Sequence, residues 1–201
     1  MNIYYFKPYD TRGVGYAYNR HCELVPELDD WICLFDTDTM VFSSQRLQSL
    51  LESVIIKFYP QFAAFTCVTN RAFQESQQQL QMGIRETRDL VVLKARADWQ
   101  MAHRADRVEE LRTGINGHLM LFPKRLWLQI PFPTAGLLRR GKINHVLGVD
   151  SEWHRQLREA GLKVGLIHQL MVTHFYRLDD AEESVRHIPG GQEWWYGEGR
   201  Q

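Results

Sequence analysis

Two aspartates one residue apart, Asp36 and Asp38, follow directly on the apolar run Trp31-Ile32-Cys33-Leu34-Phe35. Carboxylates this close repel each other unless a cation lies between them. A hard divalent ion that prefers oxygen ligands supplies that charge, and Mg2+ or Mn2+ fits, bridging the pair to a diphosphate. The plain alternative for Asp36-Thr37-Asp38 is a solvated turn. Its position favours the metal, because ligands of open α/β sheets gather beyond the carboxyl ends of the strands.

The elements that must position this pair are legible in the apolar pattern. Ile3 to Phe6 reads as a buried strand ended by Pro8, and Trp31 to Phe35 as a second. Between them, Ala17, His21, Leu24 and Val25 share one face of a helix over 16–25 that Pro26 stops. Ser43 or Ser44 caps the next helix, in which Leu47, Leu50, Leu51, Val54, Ile55 and Phe58 recur at spacings of three and four. A third buried strand covers 62–68, and Asn70, with Thr69 and Arg71, follows its end and is placed to line the same cleft. Residues 71–112 are rich in Gln, Arg and Glu and read as a helical insertion over the surface or the active site. Residues 118–122 form a strand candidate, 150–160 a helix ending at Gly161, and Leu162, Val164 and Leu166 alternate as in a strand. The tail over 178–201 carries Trp194 and Trp195, as a covering for the core or an aromatic stacking surface. Alternating strands and helices predict a single α/β domain over 1–177, with a mostly parallel central sheet flanked by helices.

Composition narrows the function. The chain has 201 residues and equal numbers of basic and acidic side chains, 24 of each. A nucleic-acid binder would carry a basic excess, so none is expected. No apolar stretch reaches the roughly 20 residues of a membrane helix. No signal peptide is apparent, and a cytoplasmic location is expected, with peripheral membrane attachment open. Cys22, Cys33 and Cys67 are odd in number and widely spaced, as buried free thiols in a reducing compartment would be.

The order of several segments resembles the family 2 glycosyltransferases, which have the GT-A fold. The segments are Gly15-Tyr16-Ala17-Tyr18-Asn19-Arg20, Leu28-Asp29-Asp30-Trp31 to Thr39, Gly114-Ile115-Asn116-Gly117-His118 to Phe122, Leu147-Gly148-Val149-Asp150-Ser151-Glu152 and Thr173-His174-Phe175-Tyr176-Arg177. Lys7-Pro8-Tyr9-Asp10 stands where that family has its acidic, nucleotide-contacting loop, and Val149 replaces the Glu of its Glu-Asp pair. The sequence starts at what is normally the family's second strand.

The resemblance implies transfer of a sugar from a nucleotide-sugar, most simply a UDP- or GDP-sugar, with inversion. The acceptor would be a hydroxyl of a glycan, a lipid-linked saccharide or a protein. It places Asp10, Asn19 and Arg20 against the nucleotide, with Pro8 and Tyr9 shaping the base or ribose pocket. Asp36 and Thr37 would lie along the donor, and Asp38 would bind the metal together with Asp36 and His174. Imidazole suits Mn2+ better than Mg2+. Asn116, Gly117 and His118 would be on the acceptor side. Asp150 would be the general base, with Glu152 as the second candidate. Both also suit a helix start, Asp as an N-cap and Glu in the first turn.

Two other readings use the same residues. A haloacid-dehalogenase-type phosphatase would use Asp36 as nucleophile beside Mg2+, with Asp179-Asp180 as a later acidic pair that no apolar strand precedes. A non-catalytic nucleotide-sugar or glycan-binding module would keep the fold without the chemistry.

Overall fold

The computed structural model describes residues 1–42, 44–70, 87, 89–134 and 148–175. Ser43, Arg71, most of the first half of the 71–112 segment, Leu147, Tyr176, Arg177, Asp179, Asp180, Trp194 and Trp195 lie outside the described residues. The chain is α/β. Its strands are β1 (Ile3–Phe6), β2 (Trp31–Leu34), β3 (Thr39–Met40), β4 (Ala64–Thr69), β5 (Val108–Glu110), β6 (Met120–Pro123) and β7 (Val164–His174). Its helices are α1 (Val14–Glu23), α2 (Ser44–Phe58), α3 (Leu90–His103), α4 (Lys124–Gln129) and α5 (Val149–Glu159).

The sheet runs β1-β2-β6-β4-β7-β3, with β5 also on β7. Among the described residues only β1 with β2 and β4 with β7 are parallel. The expected mostly parallel sheet is therefore corrected to a mixed one. The reason is β6, which inserts between β2 and β4 and runs against both. β7 adds two more antiparallel pairs, first with β5 and then with β3. One long strand can serve both because its register on β4 jumps from Cys67↔Ile167 to Val68↔Met171. The extra residues bulge there and bend the strand.

The alternation of β2 shows why it is apolar throughout. Ile32 and Leu34 enter a core with Tyr18 and Cys22 of α1, Leu93 and Ala97 of α3, and Trp153 and Leu157 of α5. Trp31 and Cys33 enter a second core with Leu47, Leu50, Leu51, Val54 and Ile55 of α2. A strand buried on both faces loses the polar half of its pattern. The predicted apolar stripe of α2 is thus the stripe that packs. All three cysteines are buried and free. Trp153 is the largest fully buried side chain, packed 4.7 Å from Phe132 and 4.9 Å from Phe122 between ring centroids. Its Nε1 donates to the Ile130 carbonyl at 2.8 Å, so α5 is fixed both by packing and by a polar contact. Among the described residues no helix is long and apolar enough to cross a membrane.

Candidate metal centre

The turn between β2 and β3 holds Asp36, Thr37 and Asp38 at the carboxyl end of β2. It is fixed at several points. The Thr39 hydroxyl and amide donate to the Asp36 carbonyl at 2.7 and 3.3 Å. The Phe175 amide donates to the Asp38 carbonyl at 3.0 Å, and Thr39 pairs with His174 across β3 and β7. The end of β7 is thereby laid against the turn, and His174 arrives beside both carboxylates. His174 Nε2 is 3.1 Å from Asp38 Oδ1 and 3.7 Å from Asp36 Oδ2. The three ligand atoms lie within 4.8 Å of one another.

This donor set fits a small divalent cation. Ligands at right angles on bonds of about 2.1 Å are about 3 Å apart, which the His174–Asp38 spacing of 3.1 Å matches and the His174–Asp36 spacing of 3.7 Å exceeds. Two carboxylate oxygens and one imidazole nitrogen suit Mn2+ on chemical grounds as well. The His174 backbone is held from behind. Asn70, buried just past β4, accepts from the His174 amide through Oδ1 at 2.8 Å.

Asp36 is the strained member. Enclosure of its carboxyl raises its pKa to about 7. The nearby charges of Asp38 and Asp150 push the same way, while His174 and the Tyr18 hydroxyl oppose them. Tyr18, buried in α1, donates to Asp36 Oδ1 at 3.0 Å. Gly117 closes the other side. A Cβ there would lie 2.8 Å from both Asp36 Oδ1 and the Tyr18 hydroxyl. Only glycine lets the backbone approach the carboxylate that closely.

Asp150 enters this group from α5. It sits in the first turn behind Gly148, a left-handed residue that takes the N-cap position itself. Burial raises the Asp150 pKa, and amides of Ser151 and Gly117 hold the carboxylate against that shift. The Ser151 amide bond is 2.8 Å. Asp150 also feels His174 and acts on Asp36, so the three share one electrostatic neighbourhood. Glu152 is committed elsewhere, to Arg155 at 2.6 and 2.9 Å.

The remaining candidates divide by location. His118 is buried against the other side of His174, with ring centroids 6.0 Å apart, and its Nε2 bonds the Cys67 carbonyl at 2.8 Å. Its burial lowers its pKa to about 3, so this imidazole stays neutral. Asn116 is half-buried next to Gly117, and Thr37 is exposed at the crest of the turn. Asn19 is bound within the fold: its Oδ1 accepts from Trp127 Nε1 at 2.7 Å and the Phe132 amide at 3.0 Å, and its Nδ2 donates to the Phe132 carbonyl at 2.8 Å. Asp10 forms a two-point pair with Arg12, at 2.7 and 2.9 Å, which holds its carboxyl below the usual range. Pro8 is buried, whereas Tyr9 and Arg20 are exposed.

Lys7 and Tyr18 are functional candidates that the sequence reading did not place in the site. Lys7 Nζ donates to the Thr39 carbonyl at 2.7 Å, directly under the aspartate turn. Desolvation of its ammonium lowers its pKa, and Asp38 and Asp36 oppose that shift. Its signal was its place just past β1, which pairs parallel with β2 and, contrary to the buried strand expected, is a half-buried edge strand with Tyr5 exposed. The signal for Tyr18 was a tyrosine on the buried face of a helix, since a buried hydroxyl requires a partner. No family model matches this chain, and no curated protein matches it in sequence.

Proposed function

We propose that this chain is a metal-dependent glycosyltransferase of the GT-A type. It would move a sugar from a UDP- or GDP-sugar to a hydroxyl of a glycan, a lipid-linked saccharide or a protein, in the cytoplasm. The observation that supports this most directly is the meeting of Asp36, Asp38 and His174 within 4.8 Å, with Asp150 in the same electrostatic neighbourhood.

Asp36, Asp38 and His174 hold Mn2+ or Mg2+, which supplies electrostatic stabilisation of charge developing on a departing diphosphate. Tyr18 and Gly117 fix the direction of the Asp36 carboxylate. Lys7 holds the turn through the Thr39 carbonyl and would add positive charge near the aspartate pair. Asp150 takes the proton from the acceptor hydroxyl as that oxygen attacks the anomeric carbon and the bond to the diphosphate breaks. A carboxylate whose pKa is raised by burial is a stronger base for that proton.

The test is hydrolysis and binding of a panel of nucleotide-sugars, with and without Mn2+, by wild type and Asp38→Ala. Metal-dependent turnover of one donor, reduced at least about a hundredfold in Asp38→Ala, is the expected outcome. Metal-dependent cleavage of p-nitrophenyl phosphate lost in Asp36→Asn, with no response to nucleotide-sugars, would replace this reading by the phosphatase. Binding without turnover in any combination of metal and acceptor would replace it by the binding module.

A further inference from the structure

An ammonium stands beside the aspartate pair. Lys7 Nζ donates to the Thr39 carbonyl at 2.7 Å. Thr39 belongs to the same turn, since its amide and hydroxyl both donate to the Asp36 carbonyl. The ammonium is thereby tied one residue beyond Asp38, within range of the charges of Asp38 and Asp36. Lys7 is an exposed residue, open to solvent and to what solvent carries. Protein nevertheless crowds its ammonium enough to lower its pKa to about 8, so it is still charged at neutral pH.

A fixed ammonium and a divalent ion repel each other. A site for a bare ion at Asp36 and Asp38 therefore loses affinity through Lys7. A site for an ion chelated by a diphosphate gains from it, because the chelate brings negative charge that an ammonium attracts. We propose that Lys7 makes metal and diphosphate bind as a pair: its charge opposes a bare divalent ion at Asp36 and Asp38 and favours one that arrives with a nucleoside diphosphate. The inference rests on the metal-dependent transferase reading and adds to it a cause for joint loading of metal and donor. Lys7 is a positioning residue that acts through its charge, and contact with the diphosphate is not required. The plainer role, a tie that holds the turn, uses only its hydrogen bond.

Three variants separate charge from hydrogen bond. Lys7→Gln keeps a donor for the Thr39 carbonyl without the charge, Lys7→Met removes both, and Lys7→Arg keeps the charge. Affinities of the full chain for Mn2+ alone, and for UDP and GDP at saturating Mn2+, are measured by calorimetry near pH ~7, where a lysine is charged, with Tm recorded for each variant. Loss of the charge is expected to tighten Mn2+ alone about fivefold and to weaken the preferred nucleoside diphosphate about tenfold. These opposite shifts should appear in Lys7→Gln and Lys7→Met, and Lys7→Arg should match the wild type. Weakening of both ligands would show a loosened turn and overturn the inference. Unchanged Mn2+ affinity in Lys7→Gln would overturn it as well. A wild type that binds no Mn2+, or binds Mn2+ but neither nucleotide, would overturn the function it rests on, a result read before any variant is compared.

Discussion

At the scale of single residues, Asp36 sets the pH behaviour. Its pKa is raised to about 7 in the folded protein, above the usual carboxylate value near 4. Between those values the folded chain without metal binds more protons than the unfolded chain. Its contribution to stability is therefore complete below about pH 4 and is lost as pH rises through 7. Metal binding requires the ionised carboxylate, so the two effects run in opposite directions. The difference in unfolding stability between wild type and Asp36→Asn, measured without metal, is expected to fall from about pH 5 to about pH 8, while wild-type Mn2+ affinity measured by calorimetry rises over the same range. Tyr18→Phe removes a hydrogen bond that favours the ionised form, and should move both midpoints to higher pH. A pH-independent Mn2+ affinity would show that Asp36 is not a ligand. The aspartate pair was legible from sequence because a carboxylate pair beyond a buried strand has few inexpensive explanations. Lys7 and Gly117 were not seen in these roles, because each depends on a backbone carbonyl or a carboxylate that only the folded chain brings near.

At the scale of elements, local pattern gave most of the helices and failed where pairing partners are distant. The stripe of α2 and the apolar runs of β2 and β4 follow from periods that a sequence displays directly. β3 has two residues and β5 three, and neither carries enough alternation to be read. The direction of β6 was also hidden, since a short apolar run has no sign that distinguishes parallel from antiparallel neighbours. Asn19 illustrates the same limit. On a helix and near an aspartate motif it invited a role with ligand, yet its amide joins α1 to α4 and to the chain at Phe132. Asn19→Ala is expected to cost about 2–3 kcal/mol in denaturant unfolding, because Trp127 Nε1 and the Phe132 amide would lose their acceptor. Unchanged stability with weakened nucleotide affinity would restore the ligand role. Gly15 adds to that junction: a Cβ there would lie 2.1 Å from the Pro133 carbonyl oxygen. Helix α1 and the segment at Pro133 are therefore in backbone contact, which the sequence shows only as a glycine at a helix start.

At the scale of the whole molecule, the two cores are joined through one sheet whose carboxyl-terminal edge carries every candidate ligand. On the proposed function Mn2+ would bind only where that edge is assembled, and it would then stabilise the chain as a unit. With Mn2+ at about 100 times its dissociation constant, the expected gain is about 2.7 kcal/mol, measured as a rise in Tm that EDTA reverses. Asp38→Ala should abolish the rise, and a rise that survives in this variant would assign the metal to other residues. The α/β class was legible because helices and strands alternate, whereas the mixed order of the sheet follows from long-range closure that no local pattern records. The place of His174 has one more consequence. Asp36 and Asp38 lie far ahead of His174 in the chain. A nascent chain therefore carries the carboxylate pair before the imidazole that sits beside it has been made. The three groups meet only where β7 lies between β4 and β3, so a metal held by all three would report that this strand has docked.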